Sequence, residues 1–213
     1  MQFKRKAPRI EMREHPLYCF HAFLRCPSFT AADDAFDPVL DTTGEKVLRG
    51  AQYHILPTIH GNGGGLIVAS QFSGRTCQRV TIVQDSNEAN KGLPLSFSPA
   101  TNDHVVQVAT DLNIKYSINK VCHHTPVWRF DANDHARGPY FVTLGGVEGN
   151  PGRETLSNWF KIQKFEDAYK LQYCPTVCGT CRVICRDIGI VLDHGNRRLA
   201  LSDRPFKVIF KKA

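Results

Sequence analysis

The 213-residue chain is poor in the features that would assign it quickly. No apolar run approaches the roughly 18 residues that a membrane-crossing helix needs, so no membrane partner is expected. No amphipathic pattern is long enough for a three-turn helix, which argues against bundles and βαβ units. The Gly-x-Ser-x-Gly nucleophile signature is missing, and no catalytic residue is assigned: the chain does not read as an enzyme. The glycine run "GNGGGL" at 61–66 lacks the Gly-Lys-Ser/Thr that a phosphate cradle requires, so it reads as a turn and no cofactor is expected. No Asn-x-Ser/Thr sequon is present, since Asn150 precedes a proline, and N-glycosylation is not expected.

Charge of one sign is also scarce in the body. The net charge is +7. Lys4, Arg5, Lys6, Arg9, Arg13 and Arg25 against Glu11 and Glu14 place four of those charges in residues 1–32. The remaining surplus of three, with signs interspersed, is a solvated surface and not a track for phosphates, so nucleic acid is not an expected partner. Residues 1–32 run from basic, through the apolar stretch Leu17–Leu24, to small residues. That order resembles a secretory leader, although His21 interrupts the apolar part. The expectation is a leader-like or disordered segment over 1–32 and a folded domain over 33–213, ordered from near Asp37. Cys19 and Cys26 fall in the first segment and are left out of the cross-linking scheme.

What the body does have is period two. Short alternating runs separated by Gly, Pro, Asn and Asp extend from "YHILP" at 53–57 to "FKVIFKK" at 206–212, and include "LPLSF" at 93–97 and "VVQVA" at 105–109. Strands this short and regularly spaced predict an all-β sandwich or barrel. A faint long repeat overlies them: Tyr53-x-Ile55, Leu112-x-Ile114-x-Tyr116 and Tyr169-x-Leu171-x-Tyr173 begin 59 and 57 residues apart. "RFD" ending at Asp131 is echoed by "VLD" ending at Asp193. Three copies of a four-strand unit would make a closed barrel with pseudo-threefold symmetry. Trp128 and Trp159, in strand patterns, are expected in the core or at its cap.

The body holds six cysteines, four of them in "CPTVCGTCRVIC" at 174–185. Zinc sites usually set two ligand pairs on either side of a longer loop, and redox Cys-x-x-Cys motifs want a helix start; neither context is present. Disulfides remain. The nested pairing, Cys174–Cys185 outside Cys178–Cys181, suits a hairpin with strands "KLQYC" and "CRDIGIVLD", and Cys77 with Cys122 is then the long-range pair. Disulfides imply an oxidising compartment. His123-His124 beside Cys122 reads as a surface pair, so no metal is assigned.

"PVLDTTGEKVLRGAQYHILP" with "GGGL", followed by the stretch from "VWRF" to "FKVIFKK", closely resembles the plant Kunitz (soybean trypsin inhibitor) family, in its miraculin-like branch, over residues 38–212. "CPTVCGTCRVIC" is similar to the variant in which two nested bridges replace a single one. The resemblance implies a disulfide-stapled β-trefoil of about twelve strands, secretion to an extracellular or vacuolar compartment, and inhibition of serine proteases of the trypsin, chymotrypsin or subtilisin kind. It also implies a reactive loop between the fourth and fifth strands: Ser98, Pro99, Ala100, Thr101, Asn102, Asp103, His104 and Val105, with Asn102 as primary specificity residue, Asp103 next, and Pro99 stiffening the approach. Arg49 stands where strong inhibitors of the family carry an asparagine that supports the loop. Trypsin inhibitors of the family carry Arg or Lys where this chain has Asn102, so inhibition of trypsin is expected to be weak. The stretch "KFEDAYK" has no cysteine to join two subunits, and a monomer is expected. The alternative is a non-inhibitory β-trefoil with a storage, stress or ligand-binding role.

Overall fold

A computed structural model describes residues 37–130 and 140–213. The leader-like segment with Cys19 and Cys26, and Asp131 of the "RFD" echo, lie outside the described residues. Among the described residues there are twelve strands: β1 Tyr53–Pro57, β2 Leu66–Ser73, β3 Thr76–Gln84, β4 Leu95–Pro99, β5 Leu112–Tyr116 and β6 Trp128–Phe130, then β7 Val142–Leu144, β8 Lys161–Phe165, β9 Ala168–Tyr173, β10 Arg186–Asp193, β11 Asn196–Ser202 and β12 Val208–Lys212. One 3-10 turn, Arg153–Asn158, precedes β8.

The strands pair antiparallel in the order β5-β4-β1-β12-β9-β10-β11-β3-β7-β6, with β2 on β3 and β8 on β9. The three repeat segments fall on β1, β5 and β9, each the first strand of a four-strand unit. This all-β arrangement is a β-trefoil. Isolated bridges Lys115–Val127 and Leu112–Phe160 tie β5 to the residues just ahead of β6 and β8.

Alternation decides which side chains enter the core. On β4 the residues Leu95, Phe97 and Pro99 are buried while Ser96 and Ser98 between them are not. The buried rows meet as aromatic contacts: Phe97 lies edge-on to Phe210 with centroids 5.4 Å apart, and Trp128 edge-on to Phe160 at 6.0 Å. Such pairs add to the roughly 1.5–3 kcal/mol that burying each large apolar side chain contributes. Trp159 is also buried, its indole N–H donating to Thr155 Oγ1 at 3.1 Å.

Two runs differ from their sequence reading. "LPLSF" is shifted, because β4 begins after Pro94 and continues to Pro99. "VVQVA" at 105–109 is not a strand of the sheet. Val105 and Gln107 form single bridges to Leu48 and Pro38, and Ala109 turns out of extended geometry at φ 62°. The alternation is real, but the partner on that edge is the chain's own N-terminal arm.

Disulfides join Cys77 to Cys122, Cys174 to Cys185 and Cys178 to Cys181. Cys174 and Cys185 directly follow and precede the paired residues Tyr173 and Arg186 of β9 and β10. The Cys77–Cys122 bridge closes 45 residues, worth about 4 kcal/mol by chain entropy.

The glycine run serves close packing. A Cβ on Gly65 would lie 1.9 Å from the Lys91 carbonyl oxygen, and one on Gly64 would lie 2.3 Å from the carbonyl oxygens of Asn87 and Asn90. Gly65→Ala is therefore expected to cost about 1–3 kcal/mol through overpacking, read as a lower urea midpoint. Gly179→Ala, with open space around its Cβ, should stay within about 0.5 kcal/mol of the parent. Equal midpoints for the two variants would contradict this reading.

Candidate functional site

Between β4 and β5 the chain leaves the sheet over residues 100–111. Its two ends are tied where it departs: Pro99 pairs with Leu112, and the Ala100 N–H donates to the Asp111 carbonyl at 2.8 Å. The returning half is fastened from below by the N-terminal arm. Val39 N–H donates to Val106 O at 2.9 Å, Val106 N–H to Val47 O at 2.9 Å, and Val47 N–H to Val39 O at 2.8 Å, so the three bonds form a ring. The side chains of all three valines are buried, as is that of Val108. Val108 N–H extends the contact to Asp37 O at 2.8 Å.

The arm has the shape this needs because "VLDTTG" is a turn. The Asp41 carboxylate accepts from the Thr43 hydroxyl at 2.6 Å, from the Thr43 N–H at 2.8 Å and from the Glu45 N–H at 3.1 Å, while Gly44 supplies φ 82°. The Thr43 hydroxyl is the main cause that holds the Asp41 carboxyl below the ordinary carboxylate range. The turn folds the arm back on itself, which brings Val39 and Val47 together.

Only Thr101, Asn102, Asp103 and His104 are exposed within this loop; Pro99 and Val106 are buried, and Ala100 and Val105 are half-buried. The tip is braced from within by the Thr101 hydroxyl donating to Asp103 Oδ2 at 2.7 Å. Arg49 braces it from the arm. Its backbone N–H donates to His104 O at 2.8 Å, and its guanidinium Nη1 lies 3.4 Å from both Thr101 O and Asn102 Oδ1. Arg49 is exposed, so the side-chain contacts are the weaker part of that brace.

Ser98, in β4 just before the loop, faces a group that the sequence reading missed. Its hydroxyl donates to Glu148 Oε1 at 2.6 Å, and Lys115 Nζ donates to Glu148 Oε2 at 3.0 Å. Partial burial pushes the Glu148 carboxyl up. The bonds from Ser98 and Lys115, with the charges of Lys115 and Arg49, outweigh that and leave it below the usual range. Glu148 is held in place by Asn113, fully buried on β5, whose Oδ1 accepts from Gly149 N–H at 2.7 Å and whose Nδ2 donates to Asn158 O at 2.8 Å. The only sequence signal for Asn113 was a polar residue inside the apolar strand run "DLNIKY"; Glu148, in a glycine-rich turn, left none.

No group of three or more His, Cys, Asp or Glu side chains that could hold a metal occurs among the described residues. No helix among them is long and apolar enough to cross a membrane. What the arrangement offers is a four-residue exposed strip with fixed flanks.

The sequence profile of the Kunitz legume family, described as trypsin and protease inhibitor, matches residues 39–212. The chain is 49% identical to miraculin of Synsepalum dulcificum over 193 residues, 87% of this chain and 88% of that one. It is 47% identical to Kunitz trypsin inhibitor 5 of Arabidopsis thaliana over 179 residues, 84% and 87% of the two chains. Soybean trypsin inhibitor superposes with a TM-score of 0.67 at 28% identity, covering 83% of this chain and all of that one. A matched fold, the arm turn "VLDTTG" and identity sustained along most of the chain converge: this protein belongs to the Kunitz legume family of trypsin and protease inhibitors.

Proposed function

We propose that this protein is a secreted inhibitor of serine endopeptidases and that the segment Ser98–Val105 is what it presents to them. The observation that carries the reading is a contrast: the tip Thr101–His104 is exposed, while Ala100 and His104 of the segment, and Val106 just past it, are pinned through their backbones. A strand ordered before binding loses little entropy in a protease cleft, which is why interfaces of only about 1,600 Å² can be very tight in protease–inhibitor pairs. Relatives named as a latex serine proteinase inhibitor of Carica papaya and as Kunitz trypsin inhibitors support the class of target. Asn102 is the primary specificity residue and Asp103 follows it. An uncharged amide cannot pair with the acid of a trypsin pocket, so trypsin is a poor target and a protease accepting a neutral residue is a better one.

The protein acts as a monomer without nucleic acid or membrane. All six described cysteines are consumed in bridges within the chain, and the β8–β9 turn has no cysteine to offer a second copy. Three disulfides fit an extracellular or vacuolar compartment.

The experiment is a titration against trypsin, chymotrypsin and subtilisin. Inhibition of at least one is expected, together with its loss when Thr101–His104 are replaced by glycines. Inhibition of none by a correctly folded protein would favour the non-inhibitory reading. Asn102→Arg should strengthen trypsin inhibition by at least about tenfold, some 1.4 kcal/mol.

Glu148 gives this site a pH dependence. A carboxyl lowered by folding contributes stability above its unfolded pKa and loses it as pH falls through the folded one. Comparing Glu148→Gln with the parent, the difference in melting temperature should be greatest near neutral pH and shrink as pH falls below about 4.5 toward the lowered folded pKa. A gap that stays constant from pH 7 to pH 3 would show that the carboxylate charge is irrelevant.

A further inference from the structure

Lys161 is an unusual residue at its position. It lies on β8, with its side chain 10% exposed, beside Asp111, whose side chain is 7% exposed. Its ammonium is 3.0 Å from the Ala109 carbonyl oxygen, 3.0 Å from Thr176 Oγ1 and 3.6 Å from the Asp111 carboxylate, so all three of its donors have a direction to point in. None of these partners is near it in sequence. Two lie at the exit of the 100–111 loop, and the third lies two residues past Cys174 in the disulfide hairpin.

Ala109 needs holding. Its φ of 62° is disfavoured for any residue with a Cβ. Neighbouring residues of β8 grip both of its polar backbone groups: the Ala109 N–H donates to Ile162 O at 2.8 Å, and its carbonyl accepts from Lys161. Asp111 closes the neck through its carbonyl, which accepts from Ala100. Its carboxylate is fixed on the other side by the Thr176 N–H at 3.0 Å and the Thr176 hydroxyl at 2.5 Å. Removing Lys161 would leave that carboxylate buried without its counter-charge and Ala109 held at one group only.

We propose that Lys161 is a positioning residue for the 100–111 loop: through Ala109 and Asp111 it sets the loop's exit and couples it to the Cys174–Cys185 hairpin at Thr176. The consequence for binding rests on the inhibitory reading of that loop; the positioning itself does not. Loosening the exit would let the tip depart from the conformation a protease recognises, turning a bound inhibitor toward a cleaved substrate.

Two amides report the neck directly, those of Ala100 and Ala109. In the full-length Lys161→Met variant their hydrogen exchange should rise at least about tenfold, a change of some 1.4 kcal/mol, while amides of the β1–β12 ladder keep their parent rates. Lys161→Arg should restore most of the protection. Should Lys161→Met not fold, Thr176→Val carries the same comparison, with the same local acceleration expected. Unchanged neck amides, or neck and ladder amides accelerating by one common factor, would overturn the proposal, since the second result describes a merely structural residue. Against any protease that the parent inhibits, Lys161→Met should inhibit more weakly and be cut faster within 100–111. If the parent inhibits none, the inhibitory reading fails while the exchange rates still decide the role of Lys161.

Discussion

A closed ring of three backbone hydrogen bonds, Val39 to Val106, Val106 to Val47 and Val47 back to Val39, is the constraint on which the functional end of this molecule depends. Each bond contributes only about 1 kcal/mol net, but each joins groups of residues whose side chains are wholly buried. Breaking one strands a donor and an acceptor away from water, which costs more than the bond contributes. The ring therefore opens as a unit or stays shut. While it stays shut, the returning half of the 100–111 loop shares the rigidity of the body.

The loop draws on different physics at different points. Its underside is apolar and held by backbone bonds. Its start is electrostatic, through Ser98, Glu148 and Lys115 near the surface. Its exit is a buried ion pair that also holds a backbone carbonyl. Surface pairs are screened by water and salt, whereas buried ones tolerate no missing partner. None of the three disulfides lies in the loop. The cross-links stabilise the scaffold, and short-range polar contacts carry that stability to the exposed strip.

Belonging to an inhibitor family does not by itself say which protease is met. The scaffold contacts recur wherever a strip must be held out rigidly, while the identity of the target is written in a few exposed side chains. The side chains exposed at the tip of this loop are Thr101, Asn102, Asp103 and His104, and Arg49 braces that tip from the arm. On the proposed reading, the Asn102 carboxamide in place of a cation changes the class of pocket that fits without altering the frame behind it.

Period-two alternation and the three Tyr/Leu/Ile segments made the all-β class and the threefold organisation legible, because burial on one face of a strand forces that alternation wherever the strand lies. The nested cysteine pairs were readable because their spacing acts over a short stretch of chain, whereas the turn that "VLDTTG" makes was seen only in the folded arm. The sequence could not say that "VVQVA" pairs with the N-terminal arm in place of a sheet strand, since alternation marks a buried face and not the neighbour that buries it. Nor could it bring Glu148 to Ser98, 50 residues away, or Lys161 to Ala109, 52 residues away. Those contacts exist because the trefoil carries distant strands to one end, where a charge expensive to bury alone becomes stable beside the partners that only the folded chain supplies.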